Sequence, residues 1–322
     1  MTNYDSSRYK PTAADLWEIK DNPAKLEVFA STTFRFRSIN DLNRLIKSKL
    51  HTISGSYDLI VGIPRSGLLA ANIAALHLNL PLLTLDEVKD ISAAKLRMSR
   101  STWTYESWKP GSPLRVLIVD DSTNSGNSLR RARQLISSQS AMKGATVHYM
   151  AIYATQESIK ETDLYFQVVE QPRIFEWNFM HHAHAQNFLF DMDGVLCEDG
   201  PAESAENMDG YIYHLENARP KIIPSLKVGA IVTSRLERYR AQTEAWLRKH
   251  RVSYRYLIMT NLPTAEERRR LSLHGRFKAD VYKRLGGSLF IESETWQAKE
   301  IATITGKAVY NLQDCEFIPA TT

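Results

Sequence analysis

The chain has 322 residues, 43% hydrophobic and 24% charged, with a formal net charge of +5 and a sequence pI near 9.0. That is about twice the roughly 150 residues of a usual domain, so two domains are expected. The composition excludes a disordered, fibrous or cysteine-stapled protein.

The opening residues lack a basic segment backed by an apolar run, and no stretch of about 18 apolar residues occurs. Cys197 and Cys315 have neither disulfide-framework nor metal-site spacing. A cytoplasmic protein is expected, not membrane-spanning and at most peripheral to a membrane assembly. The positive charge suits an anionic partner without choosing one. Arg268 to Arg270, after Glu266 and Glu267, reads as a solvated helix face.

In chain order, residues 1–34 are expected as an N-terminal extension packing on the first domain through Tyr4, Tyr9 and Trp17. Short aliphatic runs then alternate with amphipathic stretches, as in parallel α/β units. Strands are predicted near Leu59–Gly62, Leu80–Thr84, Arg115–Asp120 and Val147–Ile152, and helices near Asp41–Lys49, Leu68–Leu78 and Gly126–Ser138. These place a first domain at 35–160. Segment 161–186 is too aromatic around Phe175, Trp177 and Phe179 for a free linker and is expected to pack between domains. His181, His182 and His184 within it fit packing better than zinc.

A second α/β domain is expected at 187–322. Its strands fall near Asn187–Asp191, Gly229–Thr233, Tyr254–Met259, Ser288–Glu292 and Ala308–Tyr310, and its helices near Leu236–His250, Lys278–Leu285 and Trp296–Thr303. The fold class is thus α/β, two Rossmann-like domains with mainly parallel sheets.

The run Leu114–Val119 ends in Asp120, Asp121, Ser122, Thr123, Asn124, Ser125, Gly126, Asn127 and Ser128, and a helix follows. Such a turn at a helix start offers backbone N–H groups and hydroxyls to an anion, and the helix dipole adds attraction. Two carboxylates would repel a phosphate, so they suit the hydroxyls of an attached sugar or a metal. An earlier loop, Ile63-Pro64-Arg65-Ser66-Gly67, precedes them by about 55 residues. Arg65 is suited to an anion, and Ser66 and Gly67 to close backbone approach.

These stretches resemble the type I phosphoribosyltransferases. The resemblance implies that Asp120 to Ser128 bind phosphoribosyl diphosphate (PRPP) and that Arg65, Ser66 and Gly67 bind its diphosphate. It also implies a lid over the polar segment Asp86–Pro113, with Lys95, Arg97, Arg100, Trp103, Tyr105 and Trp108. Ser125 and Ser128 stand where Thr is commoner and Asn127 where Gly is, which keeps hydroxyls at both serine positions.

Phe188–Phe190 leads into Asp191-Met192-Asp193-Gly194. Carboxylates two residues apart can divide labour, one attacking phosphorus and the other moving protons, with a cation between them. This resembles motif I of the haloacid dehalogenase superfamily, which implies Asp191 as nucleophile and Asp193 as acid/base. Carried over likewise, Thr233 is the phosphate-binding hydroxyl and Lys278 the catalytic lysine at a helix start, with Lys283 as fallback. Asp191, Asp193 and Glu292 would hold Mg²⁺, although Glu292 stands where Asp is usual. About 40 residues separate Asp193 from Thr233, too few for a large cap domain.

Together the resemblances imply bifunctional ribofuranosyl transfer, as in bacterial capsule and O-antigen systems. A phosphoribosyl group would pass from PRPP to a glycan or lipid-linked glycan hydroxyl, and hydrolysis of the 5-phosphate would leave a β-ribofuranosyl residue. Alternatives are a nucleobase phosphoribosyltransferase fused to a nucleotidase and a PRPP-binding regulator. No nucleic-acid partner is expected.

Overall fold

The computed structural model of the protein describes residues 28–90, 113–201, 203, 207–270 and 273–321. They form two compact units, one of Phe34–Trp177, the other of Asn178 onward together with the described residues before Phe34. The expected lid residues Lys95, Arg97, Arg100, Trp103, Tyr105 and Trp108 lie outside the described residues.

The Phe34–Trp177 unit runs β1 (Arg35–Arg37), α1 (Ile39–Lys49), β2 (Leu59–Gly62), α2 (Ser66–Leu78), β3 (Leu82–Thr84), β4 (Arg115–Thr123), α3 (Asn127–Ser137), β5 (Thr146–Ala154), β6 (Leu164–Val168) and β7 (Arg173–Phe175). Its five-stranded sheet has the order β3-β2-β4-β5-β6, parallel throughout, while β1 and β7 pair in a separate parallel ribbon. Val116 to Val119 are completely buried, as strands covered on both faces require. α1 starts where Ser38 and Asp41 cap each other's backbone N–H. α2 presents Ala70, Ala71, Ala74 and Ala75 to the core, letting it lie close against the sheet.

β4 continues past Asp120, because β5 still offers partners: Asp120 pairs with Ala151, Ser122 with Tyr153 and Thr123 with Ala154. The acid pair therefore sits at the end of a buried strand, and the turn into α3 is only Asn124 to Gly126.

The other unit runs β8 (Phe188–Phe190), α4 (Met208–Asn217), β9 (Val228–Leu236), α5 (Arg240–Lys249), β10 (Tyr254–Thr260), α6 (Ala265–Arg270), α7 (His274–Leu285), β11 (Leu289–Glu292), α8 (Thr295–Thr305), β12 (Val309–Asn311) and β13 (Glu316–Ile318). The sheet order is β10-β9-β8-β11-β12-β13, parallel except for β13. Adjacent strands β9, β8 and β11 end on the same side, where open parallel sheets place their sites. α4 packs Tyr211 and Leu215 on Leu236, Tyr239 and Ala265.

Four expectations are corrected. Residues 28–33, the described part of the expected extension, pack on the unit containing β8, while Tyr4, Tyr9 and Trp17 lie outside the described residues. Phe29 N donates to Leu285 O at 2.7 Å and Thr32 N to Ser288 Oγ at 2.9 Å, while the Phe29 ring joins the core of Leu189, Tyr256 and Phe290. Gly286, at φ +73°, makes room for this: a Cβ there would lie 2.6 Å from Phe29 O. Second, 161–186 is no interdomain segment over most of its length, since β6 and β7 complete the Phe34–Trp177 unit, which extends beyond residue 160. Third, the predicted helix 236–250 begins at Arg240, because β9 holds its pairing with β10 as far as Leu236. Fourth, Lys278 lies in the second turn of α7 rather than at its start.

Candidate functional sites

In the Phe34–Trp177 unit, β2 delivers the turn Ile63–Arg65 and β4 delivers the acid pair. Arg65 is exposed and follows a cis Pro64–Arg65 peptide. Gly67 is buried, and a Cβ on it would lie 2.9 Å from Val119 O and 3.0 Å from Asp120 Oδ1. Only glycine lets the start of α2 approach the acid pair this closely. Asp120, Asp121 and Thr123 are buried, Ser122 half-buried, and Asn124, Ser125, Asn127 and Ser128 exposed. Gly126 caps α3 at φ 75°, over the Glu161 side chain.

The loop's own contacts leave its donors outward. Arg130 Nη2 donates to Ser125 O at 3.0 Å and to Asn127 Oδ1 at 2.5 Å, and Arg130 pairs with Glu161 at 2.7 Å. Asn127 is thus occupied by Arg130, whereas Ser125 and Ser128 are exposed on either side of the start of α3. Asp120 Oδ1 accepts from Asp121 N at 3.0 Å. Burial, then the neighbouring Asp121, pushes the Asp120 carboxyl up to about 8. Two buried acids side by side call for hydroxyl donors or a hard cation, so the pair fits Mg²⁺ and a ribose.

Residues that periodicity missed complete this site. Trp177 Nε1 donates to Asp121 Oδ2 at 2.9 Å, and the buried Arg173 donates to Thr123 O at 2.8 Å. The buried Ser158 donates its Oγ to the same carbonyl at 3.0 Å. The one sequence signal was the aromatic density of 171–180.

In the other unit, Asp191 follows β8, Thr233 and Arg235 lie on β9, Glu292 ends β11 and Lys278 projects from α7. Lys278 Nζ donates to Asp191 Oδ2 at 2.7 Å, Glu292 Oε2 at 2.6 Å and Gln297 Oε1 at 2.9 Å. Lys278 is 1% and Glu292 0% exposed, so the bridge is sealed from water. Burial alone would lower the ammonium's pKa, but Asp191 and Glu292 outweigh it and hold Lys278 charged above its usual range. Burial first and Glu292 second push Asp191 well above the carboxylate range, despite Lys278.

Asp193 has a different environment. Arg235 Nε donates to its Oδ2 at 2.9 Å and Nη2 to its Oδ1 at 2.5 Å, with His214 Nε2 3.5 Å away. Burial would raise this carboxyl, yet Arg235 and His214 overcome that and hold it far below its ordinary value. Thr233 is 1% exposed, and its Oγ1 accepts from Arg235 N at 3.2 Å. The structure therefore gathers Asp191, Asp193, Thr233, Lys278 and Glu292 around one strand-end site. Arg235, His214 and Gln297 were missed, although an arginine inside the apolar run of β9, two residues past Thr233, was a legible signal.

Three carboxylates against two built-in cations leave an all-oxygen donor set that suits Mg²⁺. Asp191 and Glu292 are held alike: Asp191 Oδ2 accepts from Lys278 and Oδ1 from Met192 N at 2.8 Å. Glu292 Oε2 is taken by Lys278, and Oε1 accepts from Ser293 N at 3.0 Å and Glu294 N at 3.2 Å. Asp193, Cys197 and His214 also converge within 4.8 Å, but the Arg235 guanidinium already supplies positive charge there.

Residues 36–184 match the family model of the phosphoribosyl transferase domain, and this part of the chain is a phosphoribosyltransferase domain. No curated protein matches the chain. Similar solved structures include a purine phosphoribosyltransferase from Pyrococcus horikoshii, 19% identical, with a TM-score of 0.33, covering 45% of this chain and 94% of that one. Another is the Helicobacter pylori xanthine-guanine-hypoxanthine phosphoribosyltransferase, 18% identical, with a TM-score of 0.33, covering 45% and 91%. The orotate phosphoribosyltransferase from Aeropyrum pernix is 17% identical, with a TM-score of 0.27, covering 40% and 69%.

Proposed function

We propose that the chain transfers a phosphoribosyl group from PRPP to a glycan hydroxyl and then removes the 5-phosphate, leaving a β-ribofuranoside. The observation that carries this is the presence on one chain of two sites with complementary chemistry. One is an acid pair beside the start of α3; the other is the Asp191–Lys278–Glu292 bridge next to Asp193, in a haloacid-dehalogenase-like unit.

In the first site Asp120 and Asp121 face the ribose hydroxyls, Ser125, Ser128 and the start of α3 take the 5-phosphate, and Arg65 takes the diphosphate. As the C1–diphosphate bond breaks, the acceptor hydroxyl oxygen joins C1 from the opposite face and its proton passes to the departing diphosphate, and placement supplies most of the rate. In the second site Asp191, held by Lys278, attacks phosphorus, the phosphate oxygens resting on Thr233. The P–O5 bond breaks with a proton delivered to O5, and water then releases phosphate from Asp191. Asp193, which Arg235 and His214 hold ionised, must leave the guanidinium and take up a proton from solvent to give it to O5, after which the carboxylate takes the proton of the attacking water. Mg²⁺, held by Asp191 with Glu292 and Asp193 beside it and by the Asp120–Asp121 pair, would neutralise phosphate charge in both sites. Tethering raises the second site's effective concentration of the first product to the order of millimolar.

A second reading, a nucleobase acceptor with nucleotidase action behind it, draws on one observation. Trp177 is half-buried and hydrogen-bonded to Asp121, so an indole edge lies beside the proposed sugar site.

Mass spectrometry of glycan acceptors and free bases incubated with PRPP and Mg²⁺ tests both. Asp191→Asn should leave phosphoribosyl on a glycan to which the native chain adds bare ribosyl. Modification of bases alone would replace the glycan reading, and binding without turnover would leave a regulator.

A further inference from the structure

β7 stands apart from the main sheet. It pairs with β1, Arg35 opposite Arg173, Phe36 opposite Ile174 and Arg37 opposite Phe175. The ribbon is tied at its end, where Glu176 N donates to Arg37 O at 3.0 Å and Ile39 N to Glu176 Oε2 at 2.6 Å. From this mount two side chains reach the end of β4: Arg173 to the Thr123 carbonyl and Trp177 to the Asp121 carboxylate.

The indole is fixed by its neighbours. Its ring lies over Phe175 with centroids 4.8 Å and planes 13° apart, and Phe175 stacks in turn on Tyr153 at 5.5 Å and 26°. Tyr153 is the register partner of Ser122, one residue past Asp121, so the stack stands against the strand carrying the acids. A rigid ring with two side-chain torsions loses little entropy in holding one hydrogen bond.

The donor's chemistry matters as much as its place. Asp121 is 3% exposed and follows another buried acid, where a carboxylate lacking donors is costly. An indole N–H donates without carrying charge. It therefore fixes the carboxylate without pairing away the negative charge that sugar hydroxyls require, as a lysine or arginine would. Trp177 holds Oδ2 at 2.9 Å, and the neighbouring Asp120 carboxyl also hydrogen-bonds the Asp121 side chain, so the two acids are presented together.

Resting on the phosphoribosyl-transfer reading, we infer that Trp177 is a positioning residue that orients Asp121 toward the ribose, with the β1–β7 ribbon as its mount. Calorimetry on the full chain with Mg²⁺, comparing PRPP with inorganic diphosphate, tests this. Trp177→Phe keeps the ring stack and removes the N–H. PRPP should bind roughly ten- to thirty-fold more weakly, the worth of a hydrogen bond to a charged group, while inorganic diphosphate, which lacks the ribose, binds as before. In transfer assays the loss should fall on KM for PRPP, and in an Asp121→Ala background, which removes the acceptor, Trp177→Phe should cost nothing further. Trp177→Met, which also lacks a donor but keeps apolar bulk, carries the same comparison should the phenylalanine variant not fold. Parallel weakening of both ligands would make Trp177 mere scaffold, and unchanged PRPP binding would remove it from the site; either overturns the inference. A native chain that binds diphosphate but not PRPP would instead sink the transfer reading itself.

Discussion

Shortening Phe29 to alanine tests the finding that the segment before the first domain stabilises the other unit. Its ring is 3% exposed, tilts against Tyr256 at 5.8 Å, and lies under the Arg255 guanidinium at 5.2 Å. Removing a buried phenyl ring typically costs 3–5 kcal/mol, transfer and cavity terms together. Part of this wall is backbone of residues 285–287, which can relax, so about 3 kcal/mol is expected. That corresponds to roughly a 150-fold rise in the opening equilibrium of the unit that contains β8, and hydrogen exchange reads it directly. Amides of β8, β11 and α7 should exchange faster, while those of β2, β4 and β5 keep their protection. Val28→Ala serves as a control, since Val28 is 69% exposed and its truncation should cost under about 0.5 kcal/mol. Faster exchange in β2 and β4, with β8 and β11 unchanged, would refute the reasoning and return the segment to the first domain.

The raised Asp120 carboxyl, at about 8, predicts that this group binds a proton at pH 7 and releases it when a sugar or cation takes the site. PRPP affinity should climb by up to about tenfold per pH unit toward pH 8 and level off above it; calorimetry in two buffers should find about one proton released at pH 7, and none would refute this. Because folding keeps that proton bound while the unfolded acid loses it near pH 4, the free unit should lose stability as pH rises from about 4 to 8. Gly67→Ala places a methyl against the Val119 carbonyl and Asp120, and should cost about 1–3 kcal/mol while weakening PRPP binding in the same calorimetric titration. Lys278→Met leaves Asp191 and Glu292 facing each other without their shared ammonium; the proposed phosphatase turnover, read with a chromogenic phosphate ester, should disappear, while PRPP binding stays within twofold.

Local sequence carried much of this protein. The aliphatic runs located β2, β4, β5 and β8 to β12 because parallel strands buried on both faces must be apolar almost throughout. The acid-rich strand ends at Asp120 and Asp191 were legible because charge directly after such a run has few structural uses. What the sequence left open joins residues far apart in the chain. Trp177 meets Asp121 across 56 positions, Arg235 meets Asp193 across 42, and Thr32 meets Ser288 across 256. Periodicity reports which face of an element is apolar, but not which strand lies beside which. Only sheet order set β9 against β8, laid β7 along β1 and brought Phe29 to Gly286, and from the first two adjacencies came groups that hold the strand-end carboxylates in place.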